Sequence, residues 1–344
     1  ENDPNWIEAI TGIYPDGPLS LLRDRFIDVR GNKLLTVPKN FKTDRVICSE
    51  PTGNSFLQQG AGKYIRSRLK RFGVSLDDQS INQDLARRAF HERLATIDLS
   101  SASDTISVEL VYSLLPIDWA LYLDALRSKE TLIDGKWCKN EKFSSMGNAY
   151  TFELESLIFY ALASAVDEMH LSRGVSVFGD DIIIGSEAVP LLERTFDYAG
   201  FTINRQKSYS EGSFYESCGK HYFCSIDVTP AYQKELVRSP SEVIRAENRL
   251  SRFFARPTFF YKDRWKHAIR PTVPWFSRSD DGFLAFDLSR LRYDRNHGFN
   301  CHVYVFVPKL KTVNPQAQLA YKLRRPVESS PSSDGRGDLS TVSD

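Results

Sequence analysis

The chain has 344 residues, 41% hydrophobic and 26% charged, with a formal net charge of +1. Such a composition excludes a disordered or fibrous chain and allows two or three domains around a sizeable core, while the charge balance leaves nucleic acid open, because distribution decides that. Five irregularly spaced cysteines (Cys48, Cys138, Cys218, Cys224, Cys301) without a CxxC pair argue against a zinc site or a disulfide framework and favour a reducing compartment. No apolar run reaches membrane-spanning length and no signal peptide opens the chain. The first residue, Glu1 rather than Met, leads us to expect a fragment or a processed product.

Residues 1–35 read as short mixed elements separated by Pro15, Gly17 and Pro18. Lys39, Lys42 and Arg45 then recur every third residue on a segment that Pro38 keeps out of a regular helix. Such a basic loop can hold a polyphosphate or simply be solvated. Gly60-Ala61-Gly62-Lys63 fails as a phosphate-binding loop, since Leu57 replaces the first Gly and Tyr64 the required Ser or Thr. Residues 63–72 read as a basic helix, with Arg66, Arg68, Lys70 and Arg71 either solvated or facing a nucleic-acid backbone.

The β-type run Leu94–Ile97 ends at Asp98, and the small polar residues after it suit a strand-to-helix transition. Asp98 therefore projects from a strand end, and Asp104 lies on the following turn or caps a helix from Thr105 onward. Residues 143–151 form a Ser/Gly/Asn-rich loop, the functional candidate, ahead of a helix to about Met169 with Leu154, Ile158, Ala161, Leu162 and Ala165 on its core face. Val175–Ile184 reads as a hairpin around Gly179-Asp180-Asp181. A helix over Val189–Tyr198, ended by Gly200, precedes Lys207 and the polar cluster Glu216-Ser217-Cys218-Gly219-Lys220-His221. From about residue 236 the chain reads as helical, with Arg245, Arg249, Arg252, Arg256, Lys262, Arg264, Lys266 and Arg270 interleaved with Phe253, Phe254, Phe259, Phe260, Tyr261 and Trp265, a pattern suited to RNA. The tail from Pro326 reads as disordered.

Asp98, Asp180 and Asp181 form one coherent set. Two carboxylates about 4 Å apart repel by roughly 4 kcal/mol at an effective dielectric of 20, and a divalent cation is the usual compensation. Side by side in a sheet, these three make an all-oxygen site for two Mg2+ ions, with Mn2+ able to substitute. Paired metals of this kind clamp the attacking and leaving oxygens of a phosphoryl displacement.

The order of motifs resembles the RNA-directed RNA polymerases, and the wording of Ser145-Met146-Gly147-Asn148, Thr151-Phe152-Glu153-Leu154-Glu155-Ser156 and Glu216–His221 is similar to the replicase subunit of the single-stranded RNA bacteriophages, the leviviruses. The likeness covers residues 30–235 well and the last hundred poorly, and the chain looks short at both ends. It implies an α+β right-hand polymerase fold of fingers, palm and thumb, the palm an antiparallel sheet backed by helices. The implied domains are partial fingers over 1–94, a palm over 95–235 with a fingers insertion around 116–143, a thumb-like helical region over 236–325 and a disordered tail over 326–344. It makes Asp98, Asp180 and Asp181 the catalytic metal ligands and Lys207 the general acid for pyrophosphate departure. Lys39, Lys42 and Arg45 hold the triphosphate, Asp104 senses the ribose 2′-hydroxyl, and Ser145, Gly147 and Thr151 position template and nucleotide. Glu155 stands where many viral polymerases carry Asn, and Glu211–Tyr222 matches a primer-grip-like hairpin. Template RNA, ribonucleoside triphosphates and host elongation factors Tu and Ts are the implied partners, in the cytoplasm of an infected bacterium and away from membrane. The rival readings are a reverse transcriptase, or a catalytically incomplete RNA-binding polymerase fragment.

Overall fold

Successive side chains of a β-strand face opposite sides of the sheet, so three consecutive buried isoleucines need cover on both faces. Ile182, Ile183 and Ile184 make that demand, and the first unit of the fold meets it. The computed structural model describes residues 27, 29–39, 43–170, 174–233, 236–256, 258, 272–276, 282–295 and 298–300. The chain divides into two compact units, Glu1–Tyr232 and Gln233–Asp344.

In the first unit, strands β1 (Asn32–Pro38) and β2 (Asp44–Ser49) precede helices α1 (Thr52–Arg71) and α2 (Ser80–Glu92), strand β3 (Leu94–Ile97), and helices α3 (Val108–Leu114) and α4 (Ile117–Leu126). Strands β4 (Glu130–Ile133) and β5 (Lys136–Lys139), helix α5 (Thr151–Glu168), strands β6 (Ser176–Phe178) and β7 (Asp181–Gly185) and helix α6 (Val189–Ala199) follow. The unit ends with β8 (Phe214–Ser217), β9 (Lys220–Phe223) and β10 (Ile226–Asp227). The central sheet is antiparallel in the order β3-β7-β6. Ile182 and Ile184 pack in the large core with Leu154, Ile158 and Phe159 of α5 and Phe196 of α6. Ile183 packs on the other side with Ala86 and Ala89 of α2, Tyr215 and Tyr222. Each buried isoleucine contributes about 1.5–3 kcal/mol relative to exposure. A one-residue slip would exchange the two cores, so the register is firmly set.

The 116–143 segment joins the N-terminal strands in a second sheet, β2-β1-β4-β5. The loop-like Gly60-Ala61-Gly62-Lys63 is the middle of α1, and a Cβ on Gly62 would stand 3.0 Å from the Ala149 carbonyl oxygen, so that glycine lets α1 approach the start of α5. Arg66 on the basic helix is engaged within the protein: its guanidinium pairs with Glu153 at 2.6 Å and Asp77 at 2.7 Å and lies over the Phe152 ring. Lys63, Arg68, Lys70 and Arg71 are exposed. The core stripe expected for α5 needs correction. Leu154 and Ile158 are buried as expected, but Ala161 and Ala165 face outward, and Phe159, Ala163 and Val166 take the buried positions. The first two turns of α5 are covered almost all round, burying Thr151, Glu153, Glu155 and Ser156 as well, so a single apolar stripe was the wrong template there. Among the described residues no helix is long and apolar enough to cross a membrane.

In the second unit α7 (Pro240–Phe254) opens with a capping box between Ser239 and Glu242, and Val243 and Ile244 pack on Phe283. Of the helical expectation for 236–325, the described residues show α7 and a 3-10 turn at Leu288–Arg290, but also the short strands Thr272–Pro274, Phe283–Ala285, Arg292–Asp294 and Gly298–Asn300. Residues 259–271, with most of the basic-aromatic run, and the tail from Pro326 lie outside the described residues.

Candidate active site

The register of the central sheet brings the acidic residues together. Ile97 on β3 pairs with Ile182 on β7, so Asp98, one step beyond, falls level with Asp181 at the same end of the sheet. Asp180 is on the turn between Phe178 and Asp181. The turn needs glycine: Gly179 has φ +64°, and a Cβ there would stand 2.5 Å from the Phe152 ring. Its N–H donates to Ser156 Oγ at 3.0 Å. From α2, Asn82 Nδ2 donates to the Asp181 carbonyl at 3.0 Å and its Oδ1 accepts from Ser176 Oγ at 2.6 Å, tying both strands of the hairpin.

Each flanking carboxylate is held by one oxygen. Asp98 Oδ2 accepts from Asn204 Nδ2 at 2.8 Å, with Lys207 Nζ 3.8 Å away. Asp181 Oδ1 accepts from the Cys218 N–H at 3.1 Å and Ser217 Oγ at 3.2 Å, at the tip of the β8–β9 hairpin. Gln83 Nε2 holds that tip through the Cys218 carbonyl at 3.0 Å. Burial pushes the Asp98 carboxyl up to about 6; Lys207 opposes the rise, and Asp180 and Asp181 add to it. Asp181 is also pushed up, chiefly by burial.

Among the described residues no three His, Cys, Asp or Glu side chains stand close enough to hold a metal ion by themselves. The donor set nevertheless fits Mg2+, which is commonly held by one or two carboxylates, with waters and substrate phosphates completing the shell. Asp98, its carboxyl pushed up by burial and by the charges of Asp180 and Asp181 and opposed by one exposed lysine, is a group that a hard cation relieves.

Asp104 lies on a short 3-10 turn, exposed, and pairs with Lys142 Nζ at 2.6 Å. It is not a helix cap: α3 begins at Val108 and is capped by Ser107, whose Oγ accepts from the Leu110 N–H at 3.1 Å. Lys39 and Arg45 stand exposed at the β1–β2 hairpin, and Lys42 lies outside the described residues. Ser145 is buried, and its carbonyl accepts from Thr151 Oγ1 at 2.9 Å, so the Thr151 hydroxyl holds the loop's own shape. Gln58, fully buried on α1, braces the same loop by accepting the Ala149 N–H at 3.1 Å.

Sequence reasoning missed Asn82, Ser156, Asn204 and Ser208 as supports of the site. The one signal for Asn82 is that the stretch Asp77–Gln83 is itself similar in wording to the phage replicases. Glu155 is 7% exposed, and burial, with Asp180, Glu153 and Asp104 nearby, pushes its carboxyl up to about 8. The folded protein therefore holds this proton more tightly than the unfolded chain, whose value is 4.5, and stability falls as pH climbs through that interval. In cation-free buffer Glu155→Gln is expected to raise Tm at pH 8.5 by about 3 °C or more, a gain that fades below pH 4.5. Thermal melts across that range check it, and a pH-independent difference would contradict the assignment.

A family model described as RNA replicase, beta-chain, matches residues 21–256. The RNA-directed RNA polymerase subunit beta of Escherichia virus Qbeta is 52% identical over 226 residues, 64% of this chain and 38% of that protein. The RNA-directed RNA polymerase beta chain of Escherichia phage MS2 is 47% identical over 225 residues, 64% of this chain and 41% of that protein. The chain thus spans roughly two fifths of the length of these curated relatives. Among solved structures, the RNA-dependent RNA polymerase of a human picobirnavirus aligns at TM-score 0.45 and 14% identity over 66% of this chain and 55% of that one.

Proposed function

Because the chain belongs to the RNA replicase beta-chain family, we propose that it carries the palm and part of the fingers of a polymerase that copies an RNA template into RNA. The observation that carries this reading is the strand register that sets Asp98 level with Asp181, with Asp180 on the adjoining turn. Asp98, Asp180 and Asp181 would hold divalent metal, two Mg2+ ions or Mn2+ in their place. When bound, the metal supplies charge neutralisation for the attacking 3′-oxygen and the triphosphate.

The chain's own residues do the rest by position and charge. Lys207, beside Asp98 yet 55% exposed at its side chain, can swing to give its proton to the departing pyrophosphate. Lys39 and Arg45, on the β1–β2 hairpin, grip the triphosphate, with Lys42 in the same role. The loop carrying Ser145 and Gly147, shaped by Thr151, places template and nucleotide, and Asp104 reads the ribose. The β8–β9 hairpin, with its tip at Asp181, serves as the primer grip. The thumb-like role of residues 236–325 belongs to the same reading, as do host elongation factors Tu and Ts as partners in an infected bacterial cytoplasm.

Primer extension on a defined RNA, with ribo- and deoxyribonucleotides in parallel, tests this. Ribonucleotide incorporation that stops in excess EDTA and returns with Mg2+ is expected; a preference for deoxyribonucleotides, or synthesis undiminished by EDTA, overturns it. Asp104→Ala is expected to raise the deoxyribo-to-ribonucleotide ratio of kcat/KM by about fivefold, chiefly through loss of the ribonucleotide, as for one net hydrogen bond. The exposed pair with Lys142 contributes little to stability, so Tm should stay put. An unchanged ratio would leave Asp104 as a surface ion-pair partner only.

A further inference from the structure

Beyond the metal-bearing residues themselves, the fold contains a device aimed at one of them. The segment 202–209 runs antiparallel along the edge of β3 away from β7. It is bridged at Leu99–Ile203 and Thr96–Tyr209 and by the bond from Ser100 N–H to the Thr202 carbonyl at 2.9 Å. Between the two bridges the β3 side has two residues, 97 and 98, and the outer segment has five, 204–208. The extra residues bulge, and bulges re-aim side chains. Here Asn204, Lys207 and Ser208 all reach Asp98. Ser208 Oγ accepts the Asp98 N–H at 3.0 Å and bonds its carbonyl at 3.2 Å, while Asn204 Nδ2 meets Oδ2 at 2.8 Å.

Asn204 is itself fixed. Its N–H donates to the Asp98 carbonyl at 2.9 Å, its carbonyl accepts from Lys207 N–H at 3.0 Å, and its Oδ1 accepts from Gln206 N–H at 3.2 Å. With Oδ1 committed to that turn, Nδ2 must face Asp98. Asp98 Oδ1 accepts no hydrogen bond among the described residues. A neutral amide suits this position. It satisfies one carboxylate oxygen without neutralising the group, so the negative charge stays available to a cation, whereas a fixed arginine would compete for it.

We propose that Asn204 is a positioning residue for cation capture, holding Asp98 by Oδ2 so that Oδ1 is the oxygen turned to the divalent metal. The inference rests on Asp98 being a metal ligand, and its test separates the two. Asn204→Ser retains a hydroxyl able to accept the Gln206 N–H and keep the turn, but it is too short to reach Asp98. Calorimetric titration of the nucleotide-free chain with Mn2+ should give a Kd weaker by about tenfold in this variant, the effect of one hydrogen bond to a charged group. In primer extension, half-saturation by Mg2+ should rise by a similar factor, with kcat at saturating Mg2+ within about threefold and nucleotide KM within about twofold, unlike a general loss of fold. Asn204→Leu, near in volume, repeats the Mn2+ measurement should the serine variant melt early. Equal Mn2+ affinity in wild type and the folded variant overturns the proposal, as does a wild type that takes up no Mn2+. Weaker Mn2+ binding in the variant, in a chain that makes no RNA, supports the positioning role and overturns the polymerase reading alone.

Discussion

Asp98→Asn is expected to lower the single-turnover rate of RNA synthesis by at least about 10³-fold, a loss of ~4 kcal/mol of transition-state stabilisation, while the folded protein becomes more stable. The two effects have opposite signs for one reason. Asp98 is partly buried beside Asp180 and Asp181, and its carboxyl is pushed up to about 6 from 3.8. Its folded-state pKa is raised, so its charge opposes folding, and stability falls as pH rises from 3.8 toward 6. An amide keeps the Asn204 contact through its oxygen and removes the charge. In cation-free buffer above pH 6, Asp98→Asn should therefore melt a few degrees above wild type, and added Mg2+ should narrow that gap by stabilising only the wild type. Asp180→Asn should cost synthesis as heavily. Asp181→Asn is a milder change, since one amide oxygen still meets the Cys218 N–H and Ser217 Oγ. Extension rates at saturating RNA, with melts in EDTA, check these expectations. Near-normal synthesis in Asp98→Asn, or a melt below wild type, would contradict the role given to this carboxylate.

What could be read in the sequence was local. The Gly179-Asp180-Asp181 turn, the strand ending at Asp98, the helix closed by Gly200 and the loop ahead of α5 each carry their signal within about ten residues. The register placing Asp98 level with Asp181 needs contacts across more than eighty residues of chain; the chemistry of the carboxylates suggested grouping them, but no local pattern specified the pairing. The supports were harder still. Asn204 lies 106 residues from Asp98, and Asn82 lies 99 from Asp181, and neither belongs to a motif whose chemistry requires an amide. Charge misled in one place: Arg66 reads as solvated or as facing a nucleic-acid backbone until its partners Glu153 and Asp77 within the protein are known. Burial misled in another, because α5 is covered on nearly every side at its N-terminal end and an amphipathic stripe no longer describes it.

Gly147→Ala is expected to destabilise the first unit by about 3 kcal/mol and to cut RNA synthesis by about 100-fold or more. Gly147 has φ +112°, a conformation L-residues rarely adopt, and a Cβ there would stand 2.1 Å from the Cys48 carbonyl oxygen and 3.2 Å from the Cys48 nitrogen. Those are backbone atoms of β2 and cannot swing aside as a side chain would. The same strand holds the loop through the bond from Cys48 N–H to the Met146 carbonyl at 2.7 Å. An alanine must therefore break that bond or lift β2 from the loop. Lifting it would displace the hairpin that carries Lys39 and Arg45 relative to the loop, so binding of nucleotide and turnover should fail together. Gly60→Ala is the matched comparison: Gly60 sits within α1 with open space at its Cβ position, and alanine there should stabilise by about 0.5–1 kcal/mol. Denaturant unfolding and primer extension on both variants decide the matter. If Gly147→Ala unfolds like wild type and still makes RNA, the docking of β2 on this loop does not organise the site.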